Sequence, residues 1–493
     1  MIDHLPALQV VIPLMAAPLS ALFRPGRAVW LLAMTACGLS LLIASLLLQQ
    51  VLTQGIISYP MGNWPAPWGI EYRIDAANAF MLLIVAGIGT VVMAFARTIV
   101  EQRIRLSEYK QPWFYTAYLL CMTGLLGITI TGDAFNVFVF LEISSLSSYV
   151  LISLGRDRRA LTASYQYLIM GTIGATFILI GIGLLYVMTG TLNMMDLAAR
   201  IPAVADTRTI RAAFAFLTIG VSLKLALFPL HLWLPNAYAY APSAVTAFLA
   251  ATATKVAVYV LLRFFFTIFG VDFSFGTMRL DLVLLPLALV GIFSASVVAI
   301  FQTNIKRMLA YSSVAQIGYM ILGISLVSVT GLTATISHLF NHALMKGALF
   351  MALGCISFRI GTVQLDRMAG VGRAMPWTMG AFVVGGLSLI GVPLTAGFVS
   401  KWYLIVGALE KGWWPVAVLV LITSLLAVVY IWRVVETAYF KPAPEDHVVS
   451  EAPLPLLIPT WALALANLYF GLETSINAGV ARKAAEMLLG VGP

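Results

Sequence analysis

Charge is the scarcest commodity in this chain. Only 10% of its 493 residues are charged, and 61% are hydrophobic. An average soluble domain carries about 25% charged residues, so the deficit excludes a soluble globular fold. No stretch is long and polar enough to form a separate soluble domain. Cysteine is nearly absent too: Cys37, Cys121 and Cys355 each lie in an apolar segment. An odd count without CxxC spacing excludes a disulfide framework and an iron–sulfur cluster, which leaves packing roles. There is no P-loop, no glycine fingerprint in a strand–turn–helix setting and no haem pattern, so neither an ATP-driven pump nor an electron carrier is encoded, and no cofactor is expected. The opening residues, MIDHLPALQV, have no basic n-region and do not read as a cleaved signal peptide.

What the chain does have is apolar runs near the length that crosses a bilayer, from end to end. They predict an all-α integral membrane protein with 14 transmembrane helices, near 5–23, 28–51, 75–97, 112–131, 134–154, 164–189, 209–239, 243–269, 282–302, 308–328, 332–358, 376–409, 413–440 and 454–473. Two are too long for one straight crossing. The seventh contains FPLHLWLP and the twelfth GVPLTAGF, and a proline inside a membrane helix removes a backbone hydrogen bond and breaks it. Pro229 and Pro393 fall five spans apart, which predicts two inverted five-helix repeats, spans 4–8 and 9–13, each with a discontinuous helix. The whole of 1–493 then reads as one polytopic domain: helices 1–3 over 1–111, repeat one over 112–270, repeat two over 282–440, and a final helix with a short tail over 453–493.

The net charge of +9 has a topological explanation, because basic residues gather in cytoplasmic loops. Loops on one side hold sixteen Lys and Arg, among them Arg97, Arg105, Lys110, Arg156, Lys306 and Arg359. Those on the other side hold nine, including Arg73, Arg200, Arg263 and Arg482. This asymmetry places both termini outside the cytoplasm of a cell (inner) membrane. The remaining four basic residues, Lys224, Lys255, Lys346 and Lys401, sit inside apolar spans.

A lysine at the bilayer centre costs about 2.5–3.5 kcal/mol, so four of them demand a reason. For Lys346 and Lys401, which lie toward span ends, the alternative is snorkelling to the interface. Of the twenty carboxylates only Glu142 lies deep in a span, and an isolated buried carboxylate must be paired or protonated. Its natural partner is a buried lysine. Ser144, Ser145, Ser147 and Ser148 follow it and serve either to solvate it or to pack helices. Asp133, nine residues earlier, is positioned as an N-cap. His338, His342 and Lys346 step at i, i+4, i+8 along one helix face. Two histidines so spaced can bind zinc, but no glutamate lies between them and no third ligand is evident, so a proton relay suits the ladder better than a metal. His231, just after Pro229, joins the same path; the alternative is a bond to a freed backbone carbonyl. His4 and His447 are ordinary loop residues.

Taken in order, the buried glutamate, KLALFPLHLWLPNAYAYAP, the lysine of the next span, NIKRMLAYSSVAQIGYM, HLFNHALMKGALF and GVPLTAGFVSKW resemble the antiporter-like proton-translocating subunits. That superfamily includes subunits L, M and N of respiratory complex I, relatives in membrane-bound hydrogenases, and the A-type and D-type subunits of Mrp-type cation/proton antiporters. The resemblance spans nearly the whole chain. It implies that Glu142 pairs with Lys224, that Lys255 connects the halves, that His338, His342 and Lys346 carry protons between them, and that Lys401 lies near the exit. Lys401 departs from subunit M, where a glutamate is usual, and the long lateral helix of subunit L is missing. The segment GDAFNVFVFLEISSLSSYVL is most similar to the D-type subunit of Mrp antiporters; a subunit N-like or hydrogenase-associated homologue is the alternative. The implied function is proton translocation within a multisubunit Na+/H+ antiporter, alongside other membrane subunits. An assembly scaffold is the weaker reading, since a scaffold has no need of four buried lysines.

Overall fold

The computed structural model describes residues 2–24, 26–103, 111–443 and 449–491. Arg105, Lys110 and His447 lie outside the described residues. Helices α1 (Leu5–Leu22) and α2 (Arg27–Gln54) open the chain and lead to an antiparallel hairpin, β1 (Ile57–Pro60) paired with β2 (Glu71–Ile74). There follow α3 (Ala76–Arg103), α4 (Gln111–Ile130), α5 (Ala134–Ser153), α6 (Arg159–Thr189) and the short α7 (Met194–Arg200). A broken helix comes next, α8 (Arg208–Leu225) and α9 (Trp233–Tyr240), and then a second interrupted one, α10 (Ser243–Ala251) and α11 (Ala253–Leu262). The C-terminal half runs through α12 (Leu280–Ile300), α13 (Ile305–Ser325), α14 (Val329–Ile360) and one turn, α15 (Val371–Ala374). It ends with α16 (Pro376–Ile390), α17 (Ala396–Glu410), α18 (Trp414–Phe440), α19 (Leu454–Leu472) and α20 (Val480–Leu489). Among the described residues, twelve helical segments are long and apolar enough to cross a bilayer.

The arrangement follows polarity. Segments α10–α11, α13 and α14 are almost wholly buried, and they carry the lysines, histidines, serines and threonines that hydrocarbon would reject. Helices α6, α12 and α18 form the periphery and turn apolar side chains outward.

Both proline-marked breaks are real, and each is held by specific bonds. After α8, Ala226 adopts a left-handed conformation (φ 62°), and the Ala226 and Leu227 amides close the helix on the Leu223 and Ser222 carbonyls. Trp233 donates its indole N–H to the same Leu223 carbonyl at 3.0 Å, a second bond to an acceptor that lacks its i+4 amide at the break. After α16, Gly391 takes φ 91°, a conformation that favours glycine, before Pro393 and the restart at Ala396.

Three elements depart from the sequence reading. A break at Thr252 divides α10 from α11 with neither proline nor glycine to announce it. The β hairpin fills the segment between α2 and α3. The expected short tail is instead the amphipathic α20, whose Val480, Ala481, Ala484, Ala485 and Leu488 pack inward while Arg482 and Lys483 face out.

Candidate functional site

Lys224 stands in the last turn of α8, beside the break, and is 7% exposed. Its Nζ lies 3.5 Å from Glu142 Oε1 and donates to Ser145 Oγ at 2.9 Å. Glu142 and Ser145 are one helical turn apart on α5, so a single helix face presents a carboxylate and a hydroxyl to one ammonium. Ser144, Ser147 and Ser148 instead bond back to α5 carbonyls. Asp133 caps α5, accepting the Asn136 N–H at 2.7 Å.

Glu142 is less enclosed than its place in an apolar span suggests: its side chain is 28% accessible. It falls on the outward stripe of α5 formed by Phe135, Val139, Leu146 and Val150, and reaches Lys224 from that edge. The carboxylate is therefore partly exposed on the surface of the single chain.

The other three lysines are held by backbone carbonyls. Lys255 donates to the Ala250 carbonyl at the C-terminal end of α10, with Thr254 Oγ1 at 3.5 Å. Lys401 on α17 reaches back to the end of α16, donating to the carbonyls of Leu389 (3.1 Å) and Ile390 (2.8 Å) and to Ser424 Oγ (3.1 Å). Lys346 donates to the Leu309 carbonyl at 2.7 Å and Ser312 Oγ at 2.5 Å, both on α13. For Lys255 and Lys401, free carbonyls and the negative end of the helix dipole at a break suit an ammonium group, so a broken helix holds a cation without a carboxylate. The Leu309 carbonyl that holds Lys346 lies instead inside the unbroken α13. Lys346 and Lys401 are 0% and 4% exposed; each spends its donors on protein acceptors and neither snorkels.

His338 and His342 stack face to face on α14 with centroids 5.7 Å apart. His338 engages both nitrogens: Nδ1 with Ser400 Oγ at 2.7 Å and Nε2 with Gln316 Oε1 at 2.9 Å. Among the described residues, neither nitrogen of the buried His342 has a partner. His231 stacks on Phe228 (5.4 Å) with its Nδ1 unpartnered, and no hydrogen bond ties it to Lys224 or Lys255 among the described residues. Two compact groups thus emerge, Glu142–Ser145–Lys224 and Gln316–His338–Ser400 beside Lys401. Lys255, Lys346 and His342 lie buried between the halves.

Of the four serines weighed as solvating or packing residues, Ser145 is a partner, of Lys224. Sequence reading missed Ser312, Gln316, Ser400 and Ser424, which supply further side-chain partners of the buried lysines and His338. Gln316 was the most visible of them, as an amide in the middle of an apolar span. Lys306 and Arg263, counted as loop charges, are in fact buried at 5% and 7% exposure. Lys306 tucks under the break after α9 to reach the Ala241 carbonyl at 3.0 Å, and Arg263 pairs with Asp75. Long side chains at helix ends turn inward where an acceptor is waiting.

The model of the NADH:quinone oxidoreductase/Mrp antiporter transmembrane family matches residues 131–427, a stretch that includes Glu142, all four span lysines and the three buried histidines. The chain belongs to this family. Among its relatives, NADH-quinone oxidoreductase subunit N of Desulforudis audaxviator (strain MP104C) is 40% identical, with 96% of each chain covered. The D-type subunit of the Na(+)/H(+) antiporter of Bacillus subtilis (strain 168) is 31% identical over 98% of this chain and 96% of the relative. The fold is shared with a chain of the Mrp complex from Dietzia sp. DQ12-45-1b, at a TM-score of 0.90 and 26% identity, covering 99% of this chain and 97% of that one. Family members of both kinds thus match nearly end to end, and the protein is a multi-pass membrane protein of the antiporter type.

Proposed function

We propose that the chain is the proton-translocating membrane subunit of a multisubunit Na+/H+ antiporter of Mrp type, working beside other membrane subunits in the cell membrane. The observation that carries this reading is the Lys224–Glu142 contact at a broken helix. With Glu142 ionised, the opposite charge and the Ser145 hydroxyl hold Lys224 as an ammonium. When the carboxylate is neutralised or drawn away, a desolvated ammonium is left unpaired and the lysine passes its proton on. The route runs from Lys224 through His231 and Lys255 to Lys346 and the His338/His342 pair, and leaves by Lys401. Ordered water at the unpartnered nitrogens of His231 and His342 bridges the gaps, since buried polar atoms without protein partners are the sites water occupies.

The finer architecture belongs to the same proposal. Counting each broken helix once gives 14 spans, with both termini outside the cytoplasm. Segments 112–270 and 282–440 are two inverted repeats whose breaks, at Pro229 and Pro393, set Lys224 and Lys401 in related surroundings. The helices of 1–111 and 453–493 flank them in a single membrane domain, with no redox or hydrolytic site of its own.

A second reading rests on the 40% identity to a subunit N: the same proton path within a complex I-like NADH:quinone oxidoreductase or hydrogenase. The subunits that co-purify decide between the two. Flavin and iron–sulfur subunits indicate a redox assembly; small membrane subunits alone indicate the antiporter. The path is tested by proton or cation/proton exchange in vesicles carrying the assembled complex. Glu142→Ala and Lys224→Ala should each abolish exchange, and exchange retained in both with the complex intact sinks the mechanism.

A further inference from the structure

At the end of the bundle that carries the β hairpin, a polar cavity of about 610 Å³ is walled by Arg73, Asp75, Asn78, Tyr259, Arg263 and Asp272, among others. Arg263 and Asp75 stand in its wall as a close ion pair, Nη2 to Oδ1 2.5 Å, with side chains 9% and 14% accessible. Asp75 is fixed from the other side, because the same Oδ1 accepts the amides of Ala77 (2.9 Å) and Asn78 (3.2 Å) at the start of α3. Arg263 Nε donates to the Tyr259 hydroxyl at 2.8 Å, and that hydroxyl donates to the Thr129 carbonyl at the end of α4 at 2.9 Å.

Lys255, Tyr259 and Arg263 follow one another at i, i+4 and i+8, so a single face of the helix runs from the central lysine to the cavity, roughly 12 Å at 1.5 Å per residue. A cavity so near a proton carrier is a short circuit unless something closes it. The bonding pattern closes it. Arg263 does not give up its proton at any working pH. The only proton of Tyr259 is committed to a backbone carbonyl, an acceptor with nothing to hand on. Lys255 directs its amine the other way, toward the Ala250 carbonyl. No group between the cavity and Lys255 along this face is arranged both to accept and to release a proton, and a fixed guanidinium repels protons and metal cations alike, as arginines do in selective pores.

We propose that Arg263, clamped by Asp75 and Tyr259, is an electrostatic seal that keeps protons and cations in this cavity from reaching Lys255, leaving the Lys401 side as the route of exchange. The inference rests on Lys255 lying on the proton path. A purely structural role, stapling α11 to α3, is the competing account, and a leak measurement separates the two.

Vesicles carrying the assembled complex are given a pH gradient in the absence of transported cation, and its decay is followed with a trapped pH dye. Arg263→Gln should speed the decay at least about threefold per assembled complex, because the fixed charge is gone. Arg263→Lys keeps a cation beside Asp75 but can release its proton, so it should leak as well. Assembled Arg263→Gln and Arg263→Lys vesicles that hold the gradient as long as wild type overturn the seal. If Arg263→Gln does not assemble, the lysine variant alone decides, a leak supporting the seal and its absence refuting it. Exchange by the wild-type complex is measured in the same vesicles. Its absence would count against the transport reading, whereas the seal stands or falls on the leak.

Discussion

Lys224 shows why residue identity, beyond charge, matters here. Its ammonium is shared between a carboxylate and a hydroxyl, so it can change state when either partner changes. Lys224→Arg keeps the positive charge and the reach to Glu142, but a guanidinium cannot be emptied of its proton. Exchange should therefore be lost in the assembled variant, as completely as in Lys224→Ala. Gln316 is the matching case in the second half. Gln316→Leu leaves His338 Nε2 without its partner at 2.9 Å, and exchange should fall about tenfold, equivalent to about 1.4 kcal/mol in the barrier. Initial rates in vesicles containing equal amounts of complex check both variants. The lysines and Glu142 were legible in the sequence because a charge in an apolar run has no cheap explanation. Most of the polar partners were not, because neutral residues such as Ser400, Ser424 and Gln316 are tolerated in spans for packing alone, and for the same reason Ser145 stood open between solvation and packing. Arg263 and Lys306 were misassigned for the opposite reason: a charge near a span end looks like a loop charge until its acceptor is seen.

At the scale of elements, the breaks decide where cations sit. Lys401 caps the end of α16, and Lys255 caps the end of α10, so helix interruption and lysine position form one device. Gly391 is essential to that geometry. A Cβ there would come within 2.9 Å of Lys401 Cδ, on a backbone at φ 91° that side-chain-bearing residues rarely adopt. Gly391→Ala should lower stability by about 1–3 kcal/mol and displace Lys401. A lower midpoint of thermal unfolding in detergent, together with impaired exchange, is the expected result. The long spans were legible because a bilayer requires about 20 apolar residues, and the two proline breaks because proline cannot donate to the helix ladder. The Thr252 break carried no such mark. The hairpin was too short to display a strand period, and α20, alternating alanines with Arg482 and Lys483, is too polar to resemble a span.

For the molecule as a whole, the buried polar axis through α10–α11, α13 and α14 is enclosed by apolar helices, and Glu142 on α5 reaches the edge. An axis so enclosed is consistent with lateral proton movement and with partners packed alongside. The excess of basic residues on one side, fifteen against eight once the buried Lys306 and Arg263 are set aside from the sixteen and nine, predicts that both termini lie outside the cytoplasm. A protease site appended to the C-terminus should therefore be cut from outside intact cells; cleavage only in inverted vesicles would reverse the topology. The central claim is that the Lys224–Glu142 pair is the step that moves protons, and cation-driven proton exchange in vesicles carrying the assembled complex tests it most directly, comparing wild type with Lys224→Arg. The account predicts exchange in the wild type and none in the variant. Exchange by Lys224→Arg at the wild-type rate would contradict it.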